Sequence, residues 1–401
     1  MTKPLDGVKI VDLSNMLMAP YATQILGDLG ADVIKVEAPE GDAVRGIGPR
    51  RNPGMGAIFL NINRSKRSIV LDLKKPAGHE AVLKLISDAD VVVFNKRPQV
   101  MERLGLSYDT VVKVNPRVIY AGIYGYGENG PYAGKPAFDD LIQGAVAIPS
   151  LHQSATGQEP AYTPTAIVDR GVALWAVGQI NAGLVYQART GKGQQIDTTM
   201  FEMMAGFVLG DHLAGHTFDP PVGPPGYTRM INPDRRPYPT KDSHVCVLIY
   251  TDRQWRSFFE AMGRAEDFDK DPRFADMPTR NEHIAEIYAE LAELLTSRTT
   301  AEWLELFDAA DIPAMPLHTP ETLIADPHLE ATGFFTYYDH PSEGRLREMA
   351  VPTTWSETQP AHSRHVPRLG EHSVEVLREL GYDDARIAEL VEEGVTASPA
   401  A

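Results

Sequence analysis

Short, nearly continuous apolar runs alternate with longer amphipathic stretches through the N-terminal part of the chain. Val8-Lys9-Ile10-Val11-Asp12-Leu13 reads as a strand, Ala19 to Leu29 as a helix, and Asp32-Val33-Ile34-Lys35-Val36-Glu37 as a second strand. That is a βαβ unit with short connections. The alternation continues with strands at Ser68 to Leu73, Asp90 to Asn95 and Arg117 to Gly122, and a helix from Gly78 to Ser87. Apolar strands separated by helices predict an α/β architecture, a parallel sheet covered on both faces. Such sheets bind ligands beyond the carboxyl ends of their strands. Here those ends are Ser14-Asn15-Met16, Glu37, Lys74 and Asn95-Lys96-Arg97.

A long helix is predicted from Val172 to Ala188, rich in small residues (Ala173, Ala176, Gly178, Ala182, Gly183) that imply a close approach to its neighbours. Gly191 stands where a C-terminal cap would end it. The Pro/Gly run Asp219 to Gly226 reads as a linker. After it comes a smaller α+β module, with a strand near His244 to Tyr250 and helices around Gln254 to Gly263, Asn281 to Leu295 and Thr300 to Asp308. The tail from Val366 to Gly394 supplies closing helices. These breaks divide the chain into 1–218, 219–325 and 326–401.

With 401 residues, 43% apolar and 23% charged, the chain has the composition of a globular protein. A net charge of −16 argues against nucleic acid or an anionic membrane as a broad-surface partner. One cysteine, Cys246, excludes an internal disulfide and a Cys-rich metal site. The opening residues lack the regions of a signal peptide and no stretch approaches a membrane span, so a soluble, cytoplasmic protein is expected.

Several motifs fail on context. Gly125-Tyr126-Gly127-Glu128-Asn129-Gly130 has dinucleotide-loop spacing, but Pro131-Tyr132 follows where a helix should start. The first strand-to-helix turn has no glycine, although Glu37 stands where a ribose-binding acid would. His212 and His216 lack a third ligand, so no metal is assigned. Two features carry more chemistry. Nine basic residues against five acidic ones fall between Arg64 and Arg103 (Arg64, Lys66, Arg67, Lys74, Lys75, Lys84, Lys96, Arg97, Arg103), a positive island suited to phosphates. The other is Asp169, between an apolar run and the long helix. Either it caps that helix, the simpler role locally, or the helix start keeps its oxygen ionised as a nucleophile.

The order of several segments resembles the class III (CaiB/BaiF) coenzyme A transferases from end to end. They include Leu5-Asp6-Gly7-Val8-Lys9-Ile10-Val11-Asp12-Leu13, Gly30-Ala31-Asp32-Val33-Ile34-Lys35-Val36-Glu37 and Lys66-Arg67-Ser68-Ile69-Val70-Leu71-Asp72-Leu73-Lys74. Met101-Glu102-Arg103-Leu104-Gly105, Arg189-Thr190-Gly191-Lys192-Gly193-Gln194, Asp271-Pro272-Arg273-Phe274, Asp326-Pro327-His328-Leu329 and Leu380-Gly381-Tyr382 follow in register. The resemblance implies a Rossmann-like large domain, a smaller α+β domain, a C-terminal return to the large domain and an interlocked homodimer. It implies transfer of CoA from an acyl-CoA to a free carboxylic acid through aspartyl anhydride and aspartyl-CoA intermediates on Asp169. CoA enters as substrate, with no tightly bound cofactor. Asn15, Leu17, Leu71, Lys74, Asn95, Lys96, Arg97, Arg103 and Asp139 match positions that line the CoA site. An acyl-CoA racemase of the same fold, using Asp169 in proton transfer, is the alternative; related racemases carry a histidine where Phe138 stands. Asn15 and Leu17 replace the His and Gln of formyl-CoA transferases, and their glycine-run loop is missing around 220–240. The pair Arg235-Arg236 there is either a solvated turn or a binder of a second substrate carboxylate.

Overall fold

The computed structural model describes residues 3–397. Two compact units emerge, one formed by Met1–Val146, Thr163–Phe207 and Leu329–Ala401, the other by Ala147–Tyr162 and Val208–His328.

The first unit is built on a six-stranded sheet of β1 (Lys9–Asp12), β2 (Asp32–Glu37), β3 (Lys66–Val70), β4 (Val91–Phe94), β5 (Ile119–Tyr124) and β6 (Gln194–Thr199). Every pairing is parallel and the spatial order is β3-β2-β1-β4-β5-β6. Chain progression therefore reverses between β1 and β4. That reversal opens a crevice at the carboxyl ends of the two strands, because their connections leave in opposite directions.

Five helices position the site: α1 (Met18–Asp28), α2 (Pro76–Ser87), α3 (Pro98–Arg103), α4 (Asp139–Ala145) and α5 (Ile167–Thr190). Proline in the first turn of α2 and α3 supplies helical φ where no N–H is needed. The small residues of α5 act as expected at Gly183, where a Cβ would sit 2.8 Å from Ile196 and 3.1 Å from Ile119. Helix α5 can therefore lie directly on β5 and β6, with Ala173 and Ala176 buried. Gly178 faces open space and has no such role. Gly191 closes α5 at φ 73°, its N–H bonded to Gln187 O at 2.8 Å.

The tail protects the β3 edge. Ser68 N–H donates to His372 Nδ1 (3.2 Å), Val70 N–H to Ser373 Oγ (3.1 Å), and Thr396 Oγ1 to Val70 O (2.7 Å). These bonds satisfy backbone groups that an open edge would expose.

The second unit holds a three-stranded antiparallel sheet of β7 (Tyr238–Pro239), β8 (His244–Val247) and β9 (Ala314–Pro316). Its core is aromatic, with Trp255, Phe258, Phe274, Trp303 and Phe307 buried together. Capping boxes at Thr251/Gln254 and Thr299/Glu302 start two of its helices. Among the described residues no helix is long and apolar enough to cross a membrane.

Candidate active site

The turn from β1 into α1 has no glycine, yet the backbone still needs a left-handed residue there. Met16 takes that conformation at φ 64°, with its N–H held by Asp42 Oδ1 at 3.0 Å. A non-glycine residue in this region is strained and persists only where its surroundings fix it. Across the crevice, Asn15 N–H donates to Asn95 Oδ1 (3.0 Å), and Asn95 Nδ2 donates back to Asn15 O (2.7 Å). Lys96 Nζ donates to Leu13 O. The three expected residues Asn15, Asn95 and Lys96 thus tie the two strand ends at the switch point.

Beside this turn lies a cavity of about 310 Å³, lined by Leu13, Leu71, Lys74, Lys96 and Met101, with the Ala38-Pro39-Glu40 loop as another wall. Leu71, Lys74 and Lys96 meet here, as the sequence suggests. The Lys74 side chain makes no ion pair among the described residues. Burial, and then repulsion from Lys35, push the Lys96 ammonium below its ordinary range. An anion placed beside it would favour its charged form.

The other predicted contacts lie outside the cavity lining. Arg97 caps α3 and donates to Gly134 O at 2.8 Å. Arg103 is exposed on the last turn of α3. Leu17 packs on the buried cluster of Val44, Phe59 and Ile62.

The positive island resolves into two populations. Arg64 pairs with Asp28 (2.8 Å), Lys66 with Asp12 (3.1 Å), and Arg67 with Asp32, Glu375 and Glu379. These charges hold the fold rather than wait for phosphate. Glu37, the ribose-acid candidate, is likewise engaged: Arg45 donates to it at 2.6 and 2.7 Å, and Ser68 Oγ at 2.7 Å.

Beneath the crevice lies a buried network that motif reading passes over. Lys66 Nζ, fully buried, donates to Asp12 Oδ2, Asn63 Oδ1 and Pro20 O. Lys35, equally buried, donates to Ser14 O (2.9 Å) and lies 3.0 Å from Asp42 Oδ2. Burial alone would raise the Asp12 carboxyl, but Lys66, Lys35 and the Ser14 and Thr23 hydroxyls hold it at about 2. Asp42, fixed by this network, is the group that holds Met16. The available signal was a lysine amid the apolar strand Val33-Ile34-Lys35-Val36, a position that demands a buried partner.

Asp169 lies in the first turn of α5, three residues beyond Ala166 at the N-cap, so it is not the cap itself. Asp139 supplies that service instead: its Oδ2 accepts the Asp169 N–H at 2.9 Å. Asp139 Oδ1 accepts from Gln143 Nε2 at 2.6 Å, and Gln143 Oε1 accepts the Thr163 N–H at 2.9 Å. The side chain of Asp169 is half-buried and makes no hydrogen bond or ion pair among the described residues. Burial first, and the neighbouring Asp139 and Asp140 next, raise its carboxyl to about 6 against the opposing pull of Arg170. Burial and these carboxylates thus oppose the ionisation that the helix start is expected to favour. At neutral pH the carboxylate is ionised but poorly stabilised, the state in which a carboxylate oxygen is most reactive.

Two rejected motifs have structural explanations. The Gly125–Gly130 segment is a loop after β5 whose Gly127 N–H donates to Glu202 (3.0 Å), so a carboxylate fills the cradle. His212 Nδ1 accepts the Tyr227 N–H at 3.2 Å.

Known proteins share this organisation. The profile of CoA-transferase family III matches residues 5–373. An acyl-CoA transferase of Fusarium pseudograminearum is 35% identical, the match covering 98% of this chain and 88% of that protein. The human succinyl-CoA:glutarate CoA-transferase is 30% identical over 98% of this chain and 90% of its own length. The crystal structure of a CaiB/BaiF family protein from Brucella suis superimposes with a TM-score of 0.77 at 33% identity, covering 95% of this chain and all of that one. An enzyme of the transferase class is thereby identified: the chain belongs to CoA-transferase family III.

Proposed function

We propose that this enzyme moves coenzyme A from an acyl-CoA to a free dicarboxylic acid by covalent catalysis on Asp169. The observation that carries the reading is the half-buried Asp169 carboxylate, without a hydrogen-bond or ion-pair partner among the described residues and raised to about 6. Its oxygen attacks the thioester carbonyl, the C–S bond breaks, and a mixed anhydride and CoA thiolate result. The thiolate then attacks the aspartyl carbonyl, releasing the donor acid and leaving an aspartyl-CoA thioester. The acceptor carboxylate attacks that thioester, forming a second anhydride, and the thiolate takes the new acyl group while Asp169 is regenerated. One thioester is exchanged for another, so the overall transfer is near thermoneutral, with the more activated anhydrides formed only in passing. Covalent catalysis here replaces one improbable encounter by four ordinary ones.

The dicarboxylic assignment is supported by the human relative, whose name carries succinyl and glutarate. For CoA itself, the support is the cavity of Leu71, Lys74 and Lys96, with the tie between Asn15 and Asn95 beside it. Arg97 and Arg103 are assigned to phosphate contacts and Leu17 to the wall of the site. Exposed Leu174 (58%), Trp175 (55%) and Phe207 (62%) support a homodimer, since apolar groups of this size mark interaction surfaces. The unpaired Cys246 fits a reducing cytoplasm.

Mixing the enzyme with succinyl-CoA and glutarate should yield glutaryl-CoA, read by mass spectrometry. Failure with every dicarboxylic acceptor, alongside transfer to monocarboxylates, would contradict the substrate class. Lys74→Ala should raise KM for the CoA donor about tenfold with little change in kcat, as expected for a contact made equally in ground and transition states. In Asp139→Asn the amide oxygen can still accept the Asp169 N–H while the repelling charge is gone. The acid limb of kcat/KM should then move below its wild-type position near 6. A limb that stays in place would mean that Asp139 does not tune Asp169.

A further inference from the structure

The second unit contains a cavity of about 430 Å³ at the open face of its small sheet, within the size range of small-molecule sites. Arg229, Arg235 and Arg236 all line it, and no carboxylate does. Three arginines line one cavity, and the one acid paired with any of them, Asp234, lies outside its lining. Arg236 is 57% exposed and reaches Asp234 only at 3.4 Å. Arg229 and Arg235 make no ion pair among the described residues; Arg229 Nε is buried without a hydrogen-bond partner, while the rest of its guanidinium bonds to Tyr288 and Tyr227. The arginines are held in place: Arg235 N–H bonds to Asn232 O (3.1 Å), Asp234 N–H bonds to Asn232 Oδ1 (2.8 Å), and the Arg229 guanidinium lies over the Tyr250 ring. The remaining wall is apolar, formed by Val247, Leu248 and Pro313.

We propose that this cavity binds a short aliphatic dicarboxylic acid. One guanidinium pairs bidentately with one carboxylate, so three exceed the need of a monoanion and suit a dianion. The apolar wall suits the methylenes between the two charges, a feature that inorganic phosphate would leave unused. The choice of acid rests on the dicarboxylic reading of the transfer reaction; the site itself stands on its own geometry.

Cys246, the sole cysteine of the chain, also lines the cavity and serves as its reporter. Its thiolate displaces iodide from iodoacetate or iodoacetamide, forming a C–S bond as the C–I bond breaks. Relative to a free thiol, the rate ratio of iodoacetate to iodoacetamide at Cys246 should rise about tenfold, because the cavity concentrates anions. Arg235→Gln/Arg236→Gln should bring that ratio to within about twofold of the free thiol. Glutarate should slow alkylation by both reagents, and neutral glutaramide should not. A free-thiol ratio without protection overturns the proposal, and so does equal protection by inorganic phosphate or CoA, which would mark a phosphate site. Should the thiol resist both reagents, equilibrium dialysis of labelled glutarate decides. One bound equivalent fewer in the double variant supports the site, and equal binding overturns it. Cys246 protection without CoA transfer would sink only the transfer reaction, whereas transfer without protection or lost binding would sink only this site.

Discussion

Replacing Asp169 by alanine should lower CoA transfer at least about a thousandfold, some 4 kcal/mol in the barrier. The proposed route passes through two kinds of covalent bond to one carboxyl group, an anhydride at its oxygen and a thioester at its carbon, and no nearby group can replace it. Of the two neighbouring carboxylates, Asp139 has its oxygens occupied by the Asp169 N–H and by Gln143, and Asp140 is exposed. The loss should come without unfolding, because the Asp169 side chain makes no hydrogen bond or ion pair among the described residues. Stability should in fact move the other way. Its folded pKa of about 6 lies above the ordinary aspartate value of 3.8. The group therefore contributes stability that is fully present below the unfolded value and is lost as pH rises through about 6. Asp169→Asn should thus be more stable than wild type by about 1 kcal/mol near neutral pH, a gain that shrinks on acidification. Denaturant midpoints at neutral and acidic pH read this directly. A variant that is inactive but less stable than wild type at neutral pH would point to a structural role for the carboxylate.

The second large effect lies beneath the crevice. Lys66→Met should destabilise the protein by about 3–5 kcal/mol, because it leaves Asp12 buried with part of its compensation gone. Wild-type Asp12 is held at about 2, below its unfolded value, so its contribution is present above that value and lost as pH falls towards 2. Without Lys66 the buried carboxyl rises and favours the protonated form. The gap between variant and wild type should therefore be widest at neutral pH and narrower in mild acid. Adding Asp12→Asn to Lys66→Met should recover part of the loss, since the uncompensated charge disappears. A single variant within about 0.5 kcal/mol of wild type would show that the pair does not support the site.

The parallel sheet was legible because its strands are buried on both faces and so read as apolar runs. The exception is instructive. Strand β6, Gln194–Thr199, is a partly exposed edge strand of mostly polar residues and gave no such run. Strand β3 begins at Lys66, two residues before the predicted start at Ser68, because Lys66 and Arg67 are charged yet buried through partners distant in sequence. For the same reason the positive island overstated the number of unpaired cations: Glu375 and Glu379, which neutralise Arg67, lie some three hundred positions away. That Lys74 and Lys96 line a cavity beside the crevice was legible because both follow strand ends of the parallel sheet. The start of α5 was misread at Val172, since the group that satisfies its first turn is Asp139, thirty residues upstream. Local spacing could place Asp169 near a helix start, but not reveal the second carboxylate beside it.

The most direct test is to mix the enzyme with an acyl-CoA in the absence of acceptor and measure the intact protein by mass spectrometry. The account predicts a mass increase corresponding to CoA joined as a thioester, mapped to Asp169, converted to a hydroxamate by hydroxylamine and absent from Asp169→Ala. Full transfer activity with no adduct on Asp169, or undiminished transfer by the alanine variant, would contradict it.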